Sequence, residues 1–397
     1  MSSGPRSVAS GRIVITGGGT AGHTNPGIAA AEALVELGVD PEDVHFVGGR
    51  RGNERDLVPA AGFSIDLLPG RGIERKLGLR SVGAVLALMA GFFKGFWIVL
   101  RHRPRVVLCL GGYAAAAVST AAVVLRVPVV VTEQNARASA VNRLVGRWAR
   151  RCAIPFPGTD LPREVLTGNP TRAAVVEAVS VGDEAVAKAA LDLPIDRVVV
   201  AIWSGSLGAT SVNRAARDLA ERWSDRSDIA IRHVVGRRDW EEFRTPSAAI
   251  SDGALCHQLV EYEHDMPSLL VAADVAVCRA GASTVAELAI AGLPSVLVPL
   301  PIAPRDAQRA NASELVDLGG AILIDDQRLD VDALAQALEP VIDDPELRLR
   351  MSSAAASVAR PDAARRVAEL LLDAGGLAST TSNPPPDNPE RTTNGDP

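Results

Sequence analysis

Short apolar runs recur along the whole chain, each closed by a glycine-bearing turn and followed by a longer stretch with helical spacing of its apolar residues. Arg12–Thr16, Val44–Val47, Val106–Leu110 and Pro128–Val131 in the first half read as strands buried on both faces. Val198–Ile202, Ile231–Val235, Val275–Cys278 and Ser295–Val298 repeat the pattern in the second half. Strands alternating with helices, with glycine turns at the strands' carboxyl ends, predict a doubly wound parallel sheet, here twice over. The expected division is a first domain over residues 11–170 and a second over 171–375, with disordered tails at 1–10 and 378–397.

The turns carry the candidate chemistry, because ligands of such sheets sit at the carboxyl ends of the strands. After the first strand, Gly17, Gly19 and Gly22 fit G-x-G-x-x-G, and a helix is predicted from Pro26 onward. The next strand ends in Gly48-Gly49-Arg50-Arg51 rather than an acid, which argues against NAD and leaves NADP as a rival ligand. His23 stands in this first loop, where a neutral imidazole suits acid–base work. Gly111-Gly112-Tyr113 and Thr132-Glu133-Gln134-Asn135 follow the next two strands, so His23, Tyr113 and Asn135 are expected to converge. In the second half, Ser204-Gly205-Ser206-Leu207-Gly208-Ala209 is a third Gly/Ser loop, either a phosphate-facing turn or a tight turn with a capping serine.

Arg279–Asn311 combines these features most densely. Gly281 lets the chain turn, Ser283 or Thr284 can cap a helix running to about Ala291, and Gly292 ends it. A helix N-terminus after a strand is an anion site. Glu287 lies one turn in, where it can accept a ribose diol or, with Thr284, close a capping box. Gln308 and Asn311, three apart, share a helix face.

Composition narrows the class without choosing within it. The 397 residues, 47% hydrophobic and 22% charged, suit a globular protein, and a net charge of −6 excludes any global attraction to nucleic acid. Four scattered cysteines and six histidines without HxH or HExxH spacing give no reason to expect a metal. Asp330-Val331-Asp332 precedes an apolar helix and reads as a cap rather than a metal motif. The first ten residues lack an apolar core, so no secretory leader is expected. Val82–Leu100 is apolar apart from Lys94, yet three glycines interrupt it and basic residues crowd both flanks (Arg71, Arg75, Lys76, Arg80; Arg101, Arg103, Arg105). With Phe92, Phe93, Phe96 and Trp97, residues 71–105 suit a helix lying on an anionic bilayer, the alternative being an ordinary domain helix.

GGGTAGHTNPGIA, LGGYAAA, TEQNARASAVNR, GNPTR, SGSLGA and RAGASTVAELAIAGLPSVLVPLP, in this order from Arg12 to Gly375, resemble the MurG glycosyltransferases of the GT-B superfamily. The resemblance implies an α/β GT-B fold, two Rossmann-like domains facing across a cleft. It implies an inverting transfer of N-acetylglucosamine from UDP-GlcNAc to lipid I without a metal cofactor, by a peripheral enzyme at the cytoplasmic face of the membrane. It places Glu287 on the ribose, Gln308 and Asn311 on the sugar hydroxyls, and Arg172, Ser206, Arg279 and Thr284 near the uridine and diphosphate. Thr20 and Gly22 join the donor set. Gly18, Gly19, Tyr113, Glu133 and Asn135 fall in the acceptor cleft with His23 as base, Asn135 reaching the donor too. The chain has Ala21, Thr132, Leu207 and Ala307 where that family more often has Gly, His, Gln and His. Other UDP-sugar enzymes on this fold, an epimerase or a lipid glycosyltransferase, and a non-catalytic sugar-nucleotide binder are the alternatives.

Overall fold

The computed structural model describes residues 11–18, 21–50, 52–69, 81–246 and 254–377, with backbone alone at residues 21 and 81–88. The first sheet contains β1 (Ile13–Thr16), β2 (Val44–Gly49), β3 (Ser64–Leu68), β4 (Val106–Cys109), β5 (Val129–Thr132), β6 (Arg151–Ile154) and β7 (Glu164–Leu166). The second contains β8 (Val198–Trp203), β9 (Ile229–Val234), β10 (Cys256–Val260), β11 (Val275–Cys278), β12 (Ser295–Leu297) and β13 (Ala321–Leu323). Every pairing is parallel, and the orders are β3-β2-β1-β4-β5-β6-β7 and β10-β9-β8-β11-β12-β13.

All eight strands anticipated from apolar runs are present. The five without such a run, β3, β6, β7, β10 and β13, include all four sheet edges. An edge strand is covered less completely, so its sequence need not be continuously apolar; β10 is half-buried along its whole length. In both sheets the strand order reverses beside the first strand, between β1 and β4 and between β8 and β11, which opens a crevice at their carboxyl ends.

Each sheet is covered on both faces. Ile13, Ile15, Leu108 and Val130 pack on one face of the first, and Val14, Val107, Val129 and Val131 on the other. The last helix, Ala363–Gly375, departs from a division at residue 170. Its Val367, Ala368 and Leu371 are buried with Ile13 and Ile15 in the first lobe, so the chain crosses between lobes twice. A four-residue spacing of apolar side chains shows that this helix needs a sheet to lie on, but not which one.

Of two further helices one differs from expectation and one matches it. The first begins at Ala21 rather than after Pro26, with Pro26 inside it. The lost amide donor is outweighed by burial of Ile28, Ala30, Ala31 and Leu34 against the sheet. The amphipathic stretch is one helix, Ser81–His102. It buries Ile98 and Val99, and Gly95 lets it approach Ala117 of the neighbouring helix. Lys94 Nζ donates to the Leu67 carbonyl at 2.8 Å. Among the described residues no helix is long and apolar enough to cross a membrane. Asp330 caps the helix Val331–Asp343 by accepting from Ala333 N at 2.8 Å, as its sequence position predicts.

Candidate active site

The first lobe contributes the carboxyl ends of β1, β4 and β5. His23 lies in the first turn of the helix Ala21–Glu36 and faces the gap between the lobes. Burial lowers its pKa, opposed by the negative charges of Glu133 and Glu54. The imidazole is therefore held neutral below the usual histidine range, as a proton acceptor needs. Gly18, at φ +140, packs against the Glu54 carboxyl, and any Cβ there would run into it.

Glu133 is fully buried. Its Oε1 accepts from Gln134 N, Asn135 N and Asn135 Nδ2, and its Oε2 from Ser139 N and Asn142 Nδ2, at 2.8–3.3 Å. Five donors around one carboxylate shape the loop after β5 and hold Asn135 toward the gap.

Two helices of the second lobe begin after carboxyl-end loops; the N-terminus at Gly281 lines the cleft, and from the other loop Gly205 and Ser206 do. The helix Ala282–Ala291 starts after Gly281, and Thr210–Arg222 after Ala209, neither with a side-chain cap. The first amides of both are thus without a capping oxygen. Ser283 Oγ, lining the cleft, and Ser204 Oγ are buried without a protein partner. Thr284 does not cap this helix, so the capping-box reading of Thr284 and Glu287 is set aside. Glu287 instead lines the cleft and meets Arg172 Nη2 at 3.4 Å. Burial raises its pKa, and Arg172 lowers it through charge and hydrogen bond. Gln308 accepts from Leu300 N at 2.8 Å through Oε1, which orients its amide in the cleft.

The cleft measures about 460 Å³ and brings together Gly22, His23, Asn135, Arg172, Ser206, Thr284, Glu287 and Gln308. That is room for a nucleotide sugar. Gly19 and Thr20 lie outside the described residues. Four expected residues are committed elsewhere. Tyr113 donates to the Pro69 carbonyl at 2.8 Å, and Glu133 spends its carboxylate on its own loop. Arg279 donates to the Val298 and Pro299 carbonyls and Ser211 Oγ, and pairs with Asp326 at 2.7 Å, so it braces the second lobe instead of facing a diphosphate. Asn311 is fully buried, its Oδ1 accepting from Ala136 N at 2.8 Å and its Nδ2 donating to Asn135 Oδ1 and the Ala280 carbonyl at 3.2 Å. Its amide joins the two lobes rather than awaiting a hydroxyl.

Sequence reasoning missed Trp203, Tyr262, His264 and Met266, which line the same cleft. The Tyr262 and His264 rings meet edge to face at 4.9 Å, and the Arg237 guanidinium lies 4.9 Å above Tyr262. Recognising β10 as a strand would have flagged this segment, since it then becomes another carboxyl-end loop.

No metal motif is legible in the sequence, yet His45, Asp66 and His102 bring ligand-type atoms within 4.8 Å of one another. None of them lines the cleft. Arg12 Nη1 donates to His102 Nδ1 at 3.0 Å, so His102 Nε2 carries the proton that it gives to Asp66 Oδ2 at 3.2 Å. His45 Nε2 meets the same oxygen at 3.1 Å. Two stacked imidazoles bridged by a carboxylate, with a guanidinium behind one, suit shared protons better than an ion.

Residues 13–154 match the glycosyltransferase family 28 N-terminal domain and residues 199–367 the family 28 C-terminal domain. A protein of Alkalilimnicola ehrlichii is 38% identical over 364 residues, 91% of this chain and 98% of its own. One of Anaeromyxobacter dehalogenans is 37% identical over 370 residues, 91% and 92% respectively. Both are named UDP-N-acetylglucosamine–N-acetylmuramyl-(pentapeptide) pyrophosphoryl-undecaprenol N-acetylglucosamine transferase. The crystal structure of Acinetobacter baumannii MurG superposes with a TM-score of 0.72 at 26% identity, covering 92% of this chain and all of that one. The S. aureus MnaA–UDP complex, at 16% identity and a TM-score of 0.66 over 94% and 99%, shares the fold. The chain belongs to glycosyltransferase family 28, in the branch of the pyrophosphoryl-undecaprenol N-acetylglucosamine transferases.

Proposed function

We propose that this chain is an inverting glycosyltransferase that moves N-acetylglucosamine from UDP-GlcNAc to the C4 hydroxyl of the N-acetylmuramic acid in undecaprenyl-diphosphate-linked muramyl pentapeptide. The observation that carries this reading is the meeting of His23 with Thr284, Glu287 and Gln308 in one cleft, from opposite lobes. An acceptor hydroxyl on the first lobe can thereby reach a sugar nucleotide held by the second.

The acceptor oxygen attacks C1 of the sugar as the C1–O bond to the diphosphate breaks, and the electron pair leaves with UDP. His23 takes the hydroxyl proton, its half-buried imidazole being kept neutral by desolvation. The uncapped N-terminus at Gly281 with Ser283, and Ser206 of the neighbouring loop, meet the charge growing on the diphosphate. This division of labour assigns no metal a role. Glu287, steadied by Arg172, accepts the ribose hydroxyls, and Gln308 reaches the sugar through its Nε2.

The membrane side of the reading rests on the helix Ser81–His102. Its Met89, Phe92, Phe93, Trp97 and Leu100 are exposed together, Phe93 at 65%, and the Arg101 guanidinium sits 5.1 Å over the Trp97 ring. An apolar stripe beside a cation fits an anionic bilayer at the cytoplasmic face, where the lipid-linked acceptor would be met. The basic flank at residues 71–80 lies outside the described residues. Phe93→Ser with Trp97→Ser should abolish cosedimentation with anionic vesicles; undiminished binding would remove the helix from this role.

The deciding experiment is transfer of labelled GlcNAc from UDP-GlcNAc to a lipid I analogue, with the product's anomeric configuration read by NMR. A β-linked disaccharide is expected. Binding of NADPH without UDP would instead favour a reductase.

A further inference from the structure

The segment from Leu300 to Asn311 leaves β12 and enters the helix Ala307–Asp317 through two consecutive left-handed residues, Arg305 (φ 57, ψ 27) and Asp306 (φ 53, ψ 39). Neither is glycine, and side-chain-bearing residues persist in that region only where their surroundings hold them. Part of what holds these two belongs to the other lobe. Arg305 Nη1 donates to the Ala138 carbonyl at 3.0 Å and Nη2 to Asp160 Oδ2 at 3.1 Å. Asp160 Oδ1 in turn accepts from Ala138 N at 3.0 Å. Six residues on, Asn311 bonds Ala136 N and Asn135 Oδ1 of the same first-lobe loop. That loop is the one Glu133 organises. Gln308 lies between the two grips, its Oε1 tied back to Leu300 N.

We propose that residues 300–311 are an interlobe clasp and that Arg305 is a positioning residue, which places the Gln308 amide against the donor sugar only while it grips Asp160 and Ala138. This rests on the reading of the cleft as a UDP-GlcNAc site. When the lobes part, Arg305 and Asn311 lose their first-lobe partners, the strained turn relaxes, and Gln308 moves with it. Sugar recognition is thereby linked to closure, while the nucleotide, held by the helix N-terminus at Gly281 and by Glu287, is not. The Arg305–Asp160 pair is two-fifths exposed on each side, so its contribution is modest and the clasp can open at every turnover.

The test is calorimetric titration of UDP and UDP-GlcNAc into the full chain and its variants Arg305→Ala, Asp160→Ala and the exchange Arg305→Asp with Asp160→Arg. Each alanine variant should weaken UDP-GlcNAc by about three- to fivefold and leave UDP unchanged. The exchange should recover at least half of that loss. Equal weakening of both ligands, no weakening of either, or an exchange no better than the single variants overturns the clasp. A parent chain that binds neither ligand overturns the donor reading itself. One that discriminates UDP-GlcNAc from UDP yet never transfers to a lipid I analogue keeps the clasp and loses only the acceptor assignment.

Discussion

The two walls of the cleft follow one strand–loop–helix plan and treat their carboxylates in opposite ways. On the first-lobe wall Glu133 accepts five hydrogen bonds from its own loop and is complete without a ligand. On the second-lobe wall Ser283 Oγ has no protein partner, the helix N-terminus at Gly281 lacks a side-chain cap, and Glu287 has one cation at 3.4 Å. A carboxylate satisfied by its own loop is held in place before the substrate arrives, although Gln134 Oε1 beside it has no protein partner. A wall left with open donors and a half-paired carboxylate loses stability until an anion and a diol complete it.

The sharpest break of this comparison is at the reacting centre. His23→Ala should lower turnover on the order of 10²-fold or more with UDP affinity unchanged in calorimetry, and undiminished turnover would remove His23 from the chemistry. Next come the two glutamates. Glu133→Ala strands buried donors and should cost on the order of 3 kcal/mol of stability in urea unfolding. Glu287→Gln should weaken UDP-GlcNAc about tenfold with little loss of stability, because a carboxyl whose pKa is raised by burial opposes folding when ionised. If the two variants lose stability equally, the contrast between the walls fails. Ser283→Ala should weaken UDP about tenfold, the low end of the worth of one hydrogen bond to a charged group, and leave the melting temperature of the free protein unchanged. A lower melting temperature would mean that the hydroxyl already has a structural partner.

The smallest effect concerns pH. Burial pushes His233 down to about 3 and His257 down to about 4, and the two rings stack at 5.8 Å. Both folded values lie below the ordinary 6.5, so the unfolded chain takes up protons first as pH falls. Stability is therefore full above about pH 6.5 and drains away toward pH 4. His257→Leu should narrow the gap between melting temperatures at pH 7.5 and pH 5; an unaltered gap would place the acid sensitivity elsewhere.

The inner strands other than β6 were legible because strands covered on both faces are apolar throughout, and glycine turns mark their carboxyl ends; β6 opens on the exposed Arg151 and shows only a short apolar remainder. The edges β3, β7, β10 and β13 were not, and with β10 went the cleft residues Tyr262, His264 and Met266. Motif position separated loops from helices well but side-chain duties poorly. Arg279 and Gln308 come from neighbouring turns of one lobe, yet the first braces Asp326 and two carbonyls while the second lines the cleft. Asn311 shares a helix face with Gln308, but the first-lobe loop takes its amide.

By itself the order of apolar runs and glycine turns determined two parallel α/β sheets and the ends at which their ligands sit, because both follow from local backbone chemistry. Which polar side chains face the gap, and which are used up inside or between the lobes, was decided only by tertiary structure. A hydrogen bond such as Arg305 to Ala138 joins residues 167 positions apart, and no local pattern encodes its partner.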